Sequence, residues 1–182
     1  EFKLAKVPQP TLLNEDARTL PSVAAGSVHC IITNPPYPGT YDYFEHHLLR
    51  MKWLQMPTSE MKQGELGAKR NFTPKQWKQA FRESMLALRR SMVQYGHCYL
   101  VLGDWLDHDE RINGIEFVRQ YAPSVGWEVG SAVSLKYPLR DEELIELYGE
   151  AGRWEHLIQL QNPYRPEPEP RMAPEDNADN AD

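Results

Sequence analysis

Val28-His29-Cys30-Ile31-Ile32-Thr33 runs directly into Asn34-Pro35-Pro36-Tyr37, and the junction between the two stretches decides the fold. The first stretch is β-branched and mostly apolar, the composition of a strand covered on both faces, which predicts a central strand. It has to stop at Asn34, because Pro35 and Pro36 have no backbone N–H with which to continue a ladder.

Downstream of the junction, Tyr41, Phe44, Leu48 and Met51 recur at helical spacing, which predicts a helix over 41–54 ended by Pro57. The polar stretch 58–71, with Gly64 and Gly67, reads as an exposed loop or lid. Thr73-Pro74 opens a second helix, with Thr73 as N-cap and proline at the first helical position. Trp77, Phe81, Met85, Leu88 and Met92 carry that helix to about Gln94, and Gly96 stops it. A strand over 98–102, a polar exit over 104–109 and a helix over 112–121 follow. Strands over 127–135 and 155–160 are expected at sheet edges, the last one antiparallel, with a short helical piece over 142–148 between them. Upstream, 11–13 reads as a short strand followed by a polar connection. Strands alternating with helices imply an α/β sheet built on parallel units.

With 182 residues, 41% of them hydrophobic, the chain is long enough for one domain with its own core. No apolar run approaches the roughly 20 residues of a membrane span, and residues 1–10 lack the apolar region of a secretory signal. A soluble, cytoplasmic protein is expected. Cys30 and Cys98 lie in apolar stretches without Cys-x-x-Cys spacing and read as small buried hydrophobes. His46 and His47 are adjacent, with no carboxylate at ligand spacing, so no metal site is expected.

The formal net charge is −6. Most of it falls after Asn162, where prolines and acids leave almost nothing to bury, so 162–182 reads as a disordered acidic tail and 1–161 as the folded domain. The near-neutral body leaves room for one basic face. Lys69, Arg70, Lys75, Lys78, Arg82, Arg89 and Arg90, with Phe72, Trp77 and Phe81 among them, suit either a nucleic-acid surface or solvated helices whose aromatics turn to the core.

In an open α/β sheet, ligands bind outside the carboxyl ends of the strands, which is where Asn34 to Tyr37 fall. The Asn34 side-chain oxygen and a carbonyl of the Pro35-Pro36 turn can each accept one hydrogen of an amino group. Two such acceptors free the nitrogen lone pair from the ring it is conjugated with and aim it at an electrophile. Tyr37 offers a flat face for a base swung out of its stack. The plain alternative is a proline-rich turn with an Asx-type hydrogen bond and a packed tyrosine.

With this tetrapeptide at a strand end, the chain resembles the S-adenosylmethionine-dependent amino-methyltransferase superfamily. That group includes N6-adenine and N4-cytosine DNA methyltransferases and relatives acting on RNA guanine or protein glutamine. Asn14-Glu15-Asp16-Ala17-Arg18-Thr19-Leu20-Pro21 is similar to the segment such enzymes place before the motif, where an acidic residue takes the cofactor's adenine amino group. Tyr41-Asp42-Tyr43, Trp53-Leu54, Glu65-Leu66-Gly67 and Arg70 are similar to a subgroup with a Tyr-Asp-Tyr helix and a Gly-Arg loop.

The resemblance, over about residues 11–160, implies the carboxyl-terminal part of a Rossmann-like methyltransferase sheet with helices on both faces. It further implies S-adenosylmethionine as cofactor, held by Asp16, Ala17 and Asn34, and DNA as substrate. Asn34, Pro35, Pro36 and Tyr37 are the implied catalytic residues. RNA guanine or protein glutamine methylation, and a non-catalytic nucleic-acid-binding or assembly module that keeps the fold, are the alternatives.

One family feature is missing. No glycine precedes Gly26, so no Gly-rich loop is present to hold the methionine part of the cofactor, and the later glycine pairs do not follow a strand and open a helix. That part is expected upstream of Glu1 or in a separate polypeptide. Residues 1–182 alone are therefore expected to bind S-adenosylmethionine weakly or not at all, and tight binding in calorimetry would overturn the expectation.

Overall fold

The computed structural model describes residues 9–39, 41–68, 73–107, 110–140, 142–150 and 152–163. In chain order the elements are β1 (Val28–Thr33), α1 (Tyr43–Trp53), α2 (Thr58–Gly64), α3 (Pro74–Ser91), β2 (Met92–Gly103), β3 (Trp105–Asp107), β4 (Glu110–Ile112), α4 (Gly114–Tyr121), a 3₁₀ turn (Ala122–Val125), β5 (Glu128–Tyr137), α5 (Glu142–Tyr148) and β6 (Arg153–Gln161). The main sheet runs β1-β2-β6-β5, and β3 and β4 form a separate hairpin. β1 and β2 are parallel, which requires the long crossover that the first three helices supply. β6 is antiparallel to both of its neighbours.

α3 forms where Thr73-Pro74 predicts it, and the four-residue steps Trp77, Phe81, Met85 bury one of its faces. These side chains pack with Cys98, Leu100 and Leu102 of β2, Ile158 and Leu160 of β6, and Val118 of α4. Fully burying each large apolar side chain contributes roughly 1.5–3 kcal/mol, so this cluster is the main source of stability. Trp127 closes it from below, its indole N–H donating to the Met85 carbonyl at 3.1 Å. α3 ends at Ser91, and Met92, expected on its last turn, begins β2 instead.

The sheet differs from expectation in its cover. β1, read as central, is an edge strand with Ile32 79% exposed. Alternation along the strands explains the rest. Cys98 and Ile158 face the core, so Cys30, Ile32, Val133, Leu135 and Leu157 point the other way and are exposed. α3 and α4 share one face, and among the described residues the opposite face stays open where helices on both faces were expected. Cys98 is the buried hydrophobe expected, burial pushing its thiol up to about 12, while Cys30 is not.

Further differences are local. Residues 11–13 form no strand, 58–64 is helical rather than a loop, and β6 sits inside the sheet rather than at its edge. The stretch read as a polar exit contains buried Asp104 and Trp105. Asn162, assigned to the tail, is buried and donates through Nδ2 to the Met92 and Val93 carbonyls, while 164–182 lie outside the described residues. No described helix is long and apolar enough to cross a membrane.

Asp104, just past β2, is fully buried and accepts hydrogen bonds from Arg111 Nη2 at 2.6 Å and from the Gly114 N–H at 3.0 Å. The Trp154 N–H also donates to it, at 3.3 Å, and His156 Nε2 lies 3.0 Å from Oδ1. Burial alone raises this carboxyl, but His156, Arg111 and the Gly114 N–H outweigh it and hold the group below its ordinary value. A carboxylate depressed in the folded state stabilises the fold above its unfolded pKa of about 3.9, and that contribution is lost as pH falls through the folded value. D104N leaves Arg111 facing a neutral partner and is expected to cost about 3 kcal/mol at neutral pH. Urea denaturation measures it, and the gap between variant and wild type should shrink below about pH 4; an unchanged midpoint at neutral pH would count against the assignment.

Candidate active site

Asn34 to Tyr37 follow β1 at its carboxyl end, and each residue has a different setting. The Asn34 side chain is exposed and makes no hydrogen bond among the described residues, so its amide oxygen is available to a ligand. The Pro36 carbonyl accepts from Trp77 Nε1 at 3.2 Å. That bond pins the turn to the face of α3 and leaves the Pro35 carbonyl as the turn's other acceptor.

Tyr37 leaves the turn toward β2 and β6. Its hydroxyl donates to Glu155 Oε1 at 3.1 Å, and the Arg153 guanidinium lies over its ring, 5.1 Å from the centroid. Burial, then the Glu155 carboxylate, push the phenol far above its ordinary value, so it stays a protonated donor. A Cβ on Gly103 would come within 3.0 Å of the Tyr37 ring, so glycine at the end of β2 is what lets the ring lie against the strand. Arg153 in turn donates through Nε to the Asp104 carbonyl at 3.1 Å.

A loop closes over the motif from the other side. The Gly39 N–H donates to the Gly67 carbonyl at 2.9 Å. Gly67 has φ +72, and a Cβ there would meet Trp77 Cδ1 at 2.9 Å, so the position demands glycine on both conformational and steric grounds. Two residues earlier, the Glu65 carboxylate accepts the Tyr43 N–H at 2.6 Å and the Phe44 N–H at 3.3 Å. It thereby caps α1, whose own N-cap residue Asp42 makes no side-chain cap bond.

Two cavities of about 220 Å³ flank the tetrapeptide. The first is mostly apolar and lies between the turn and α3, with Ala17, Asn34, Pro35, Pro36, Trp77 and Phe81 in its wall. The second lies on the Tyr37 side and is walled by Tyr37, Tyr41, Tyr43, His47 and Tyr137 with Arg153 and Glu155. Ala17 and Asn34, expected to contact cofactor, thus share one cavity. Asp16 is not in its wall: it is exposed and its carboxylate is held by Arg18, with Nε at 2.9 and 3.0 Å and Nη2 at 2.5 Å. The Arg18 hydrogen bonds hold Asp16 below its ordinary value.

The expected basic and aromatic face on α3 separates in space. Trp77 and Phe81 belong to the core and stack on one another at 5.0 Å, while Lys69, Arg70 and Phe72 lie outside the described residues. Trp77 as a donor, Arg153, Glu155 and Tyr137 were not anticipated from the sequence as parts of the site, and Glu65 entered only through the Glu65-Leu66-Gly67 resemblance, with no capping role. Alternation in β6 puts Arg153 and Glu155 on one face, but bringing Tyr137 opposite Arg153 requires the β5–β6 register.

No family model and no curated protein matches the chain. Among solved structures, the chain is similar to a candidate DNA modification methylase of Thermus thermophilus complexed with S-adenosyl-L-methionine. The two share 18% identity at a TM-score of 0.50, over 85% of this chain and 56% of that one. The fold is Rossmann-like, of the methyltransferase kind. A SAM-dependent methyltransferase of Methanosarcina mazei (10% identity, TM-score 0.46, 83% of this chain and 66% of that one) and a 16S rRNA adenine methyltransferase of Catenulisporales acidiphilia (11%, 0.42, 84% and 61%) are also similar. The chain spans little more than half of the Thermus protein's length.

W77F keeps an aromatic ring in the core but removes the donor to Pro36, and G67A drives a methyl group into Trp77. Each is expected to cost about 1–3 kcal/mol in thermal denaturation and to shift the NMR signal of the Asn34 side-chain amide. An Asn34 signal that stays put in both variants would mean that Trp77 does not hold the turn.

Proposed function

We propose that this chain carries the target-nitrogen site of an S-adenosylmethionine-dependent methyltransferase that acts on an exocyclic base amine in DNA, adenine N6 or cytosine N4. The observation that carries the reading is an Asn34 at a strand's carboxyl end that is exposed and makes no hydrogen bond among the described residues, three positions before the Tyr37 that walls the tyrosine cavity. On this reading Asn34 Oδ1 and the Pro35 carbonyl each accept one amine hydrogen and turn the nitrogen lone pair out of the ring plane. The prolines fix φ at both turn positions, and the Trp77 bond fixes Pro36, so the acceptors are in place before the base arrives. Tyr37, its ring backed by Arg153 and its hydroxyl tied to Glu155, presents its remaining face to the base.

S-adenosylmethionine, when bound, supplies an electrophilic methyl group. The chain's residues suit part of that cofactor: Ala17 and Asn34 wall a mostly apolar cavity, and ionised Asp16 stands next to it in sequence as an acceptor for an adenine amino group. The methionine part needs a glycine turn and a ribose-binding acid from a segment upstream or from a separate polypeptide. The open edge of β1, with Ile32 exposed, offers such a segment a strand to pair with.

Radiolabelled methyl transfer to DNA, RNA and protein, assayed with and without an added polypeptide that supplies the glycine turn, tests the reading. Label is expected in DNA, and N34A is expected to lower kcat about 100- to 1,000-fold while its melting temperature holds. Label only in RNA or protein would redirect the substrate, and full turnover by N34A would end the proposal.

A further inference from the structure

Helix α1 buries Phe44 on one side and leaves a second face to solvent. Tyr43, His46, Leu49, Arg50 and Trp53 are spaced at three- and four-residue steps and share that face. Leu49 is 83% exposed and Trp53 82%. A groove along this face is walled by His46, His47, Leu49, Arg50 and Trp53, and His47 also walls the tyrosine cavity beside Tyr37, so groove and cavity meet there. Tyr41 stacks on His46 near this junction, with ring centroids 4.3 Å apart and planes 9° from parallel.

Cations accompany the rings. Arg50 and Lys52 lie in the last turn of α1, and neither makes an ion pair among the described residues. The helix's one acid, Glu45, faces Lys62 at 3.4 Å. In a protein carrying a net charge of −6, the groove's wall holds the cation Arg50 and no acid, and Lys52 lies at its border. A protein partner's apolar patch would be matched by a core depleted of charge. Here the exposed rings of Tyr43 and Trp53 flank the cation Arg50, with Lys52 beside Trp53, a combination that can stack bases and meet a phosphate backbone.

We propose that α1 is a track for a nucleic-acid strand, carrying the nucleotides next to the one held in the tyrosine cavity. The assignment rests on the proposed function for the occupant of that cavity. From Tyr43 to Trp53 the helix rises about 15 Å, at about 1.5 Å per residue. At about 3.4 Å per stacked nucleotide that is room for about four. Trp53 is the far stacking platform, and Arg50 and Lys52 meet the phosphates.

Fluorescence anisotropy of short labelled single-stranded DNA and RNA of the same sequence, titrated with the full chain, tests the track. Stacking accepts either sugar, so wild type is expected to bind both. W53A is expected to weaken both about tenfold. W53F, which keeps a flat ring, should stay within about twofold of wild type, and W53L, apolar but not planar, should behave as W53A. R50A/K52A is expected to lower the slope of log affinity against log salt by about 1.4, the amount for two phosphate contacts to a single strand.

Trp53 is exposed, so these variants should keep the wild-type Tm. Binding of neither oligonucleotide, binding indifferent to Trp53, or wild-type affinity in W53L overturns the track. So does self-association in ultracentrifugation that W53A abolishes, which would make the face a contact between copies of the chain. Trp53-dependent binding without Asn34-dependent methyl transfer upholds the track and removes the methyltransferase reading. Asn34-dependent transfer with Trp53-independent binding does the reverse.

Discussion

The buried carboxylate of Asp104 ties the carboxyl end of the sheet together. It takes donors from the β3–β4 hairpin, the first turn of α4 and β6. Its own carbonyl accepts from Tyr148 Oη at 3.3 Å and from Arg153 Nε at 3.1 Å. Through Arg153 the same node reaches Tyr37, because the guanidinium that it orients lies over the tyrosine ring. A charge removed from water here is tolerated because these donors converge on it, and Arg153 links the same node to the Tyr37 side of the cavity.

The other side of the turn is fixed by apolar packing. Trp77 is a core residue that stacks on Phe81 and lies 5.6 Å from the Trp105 ring, and its single polar atom reaches Pro36. Core packing therefore sets the position of a turn whose outer residue, Asn34, is left to solvent. Gly67 completes the arrangement because only a residue without Cβ allows the loop to lie against the indole. A turn tied on one side to a buried ion network and on the other to an aromatic core is preorganised by what it touches.

Local signals were readable in the sequence and non-local ones were not. The strand that ends at Asn34, the helix opened by Thr73-Pro74 and the short helix at 142–148 follow from composition and proline chemistry within a few residues, although Thr73, at the N-cap position, makes no side-chain cap bond. Whether an apolar strand is central or at an edge depends on what lies beside it, and Val28–Thr33 looks the same in both cases. Asp104 reads as a loop residue because its partners His156 and Trp154 are some 50 positions away. Glu65 gives no cap signal because the helix it caps begins 22 residues earlier. Of the site, the tetrapeptide was legible, while Arg153, Glu155 and Tyr137 depended on a strand register that alternation cannot supply.

The aromatic residues show how burial sorts one composition into two uses. Trp77 and Phe81 sit among lysines and arginines in sequence, yet helical spacing turns them inward, where they stack with each other and meet Phe117. The cations of that helix serve other ends: Arg90 donates to the Thr19, Leu20 and Val23 carbonyls, while Lys75, Lys78 and Arg82 lie on the outer side of an amphipathic helix. On α1 the inward positions are filled by Phe44 and, in part, by Leu48 and Met51, so Tyr43 and Trp53 have no core to enter. An exposed tryptophan forgoes the largest apolar burial any side chain offers. Trp53 stands at the far end of a groove that begins at the tyrosine cavity, and the proposed track gives the exposed ring a use that the core does not.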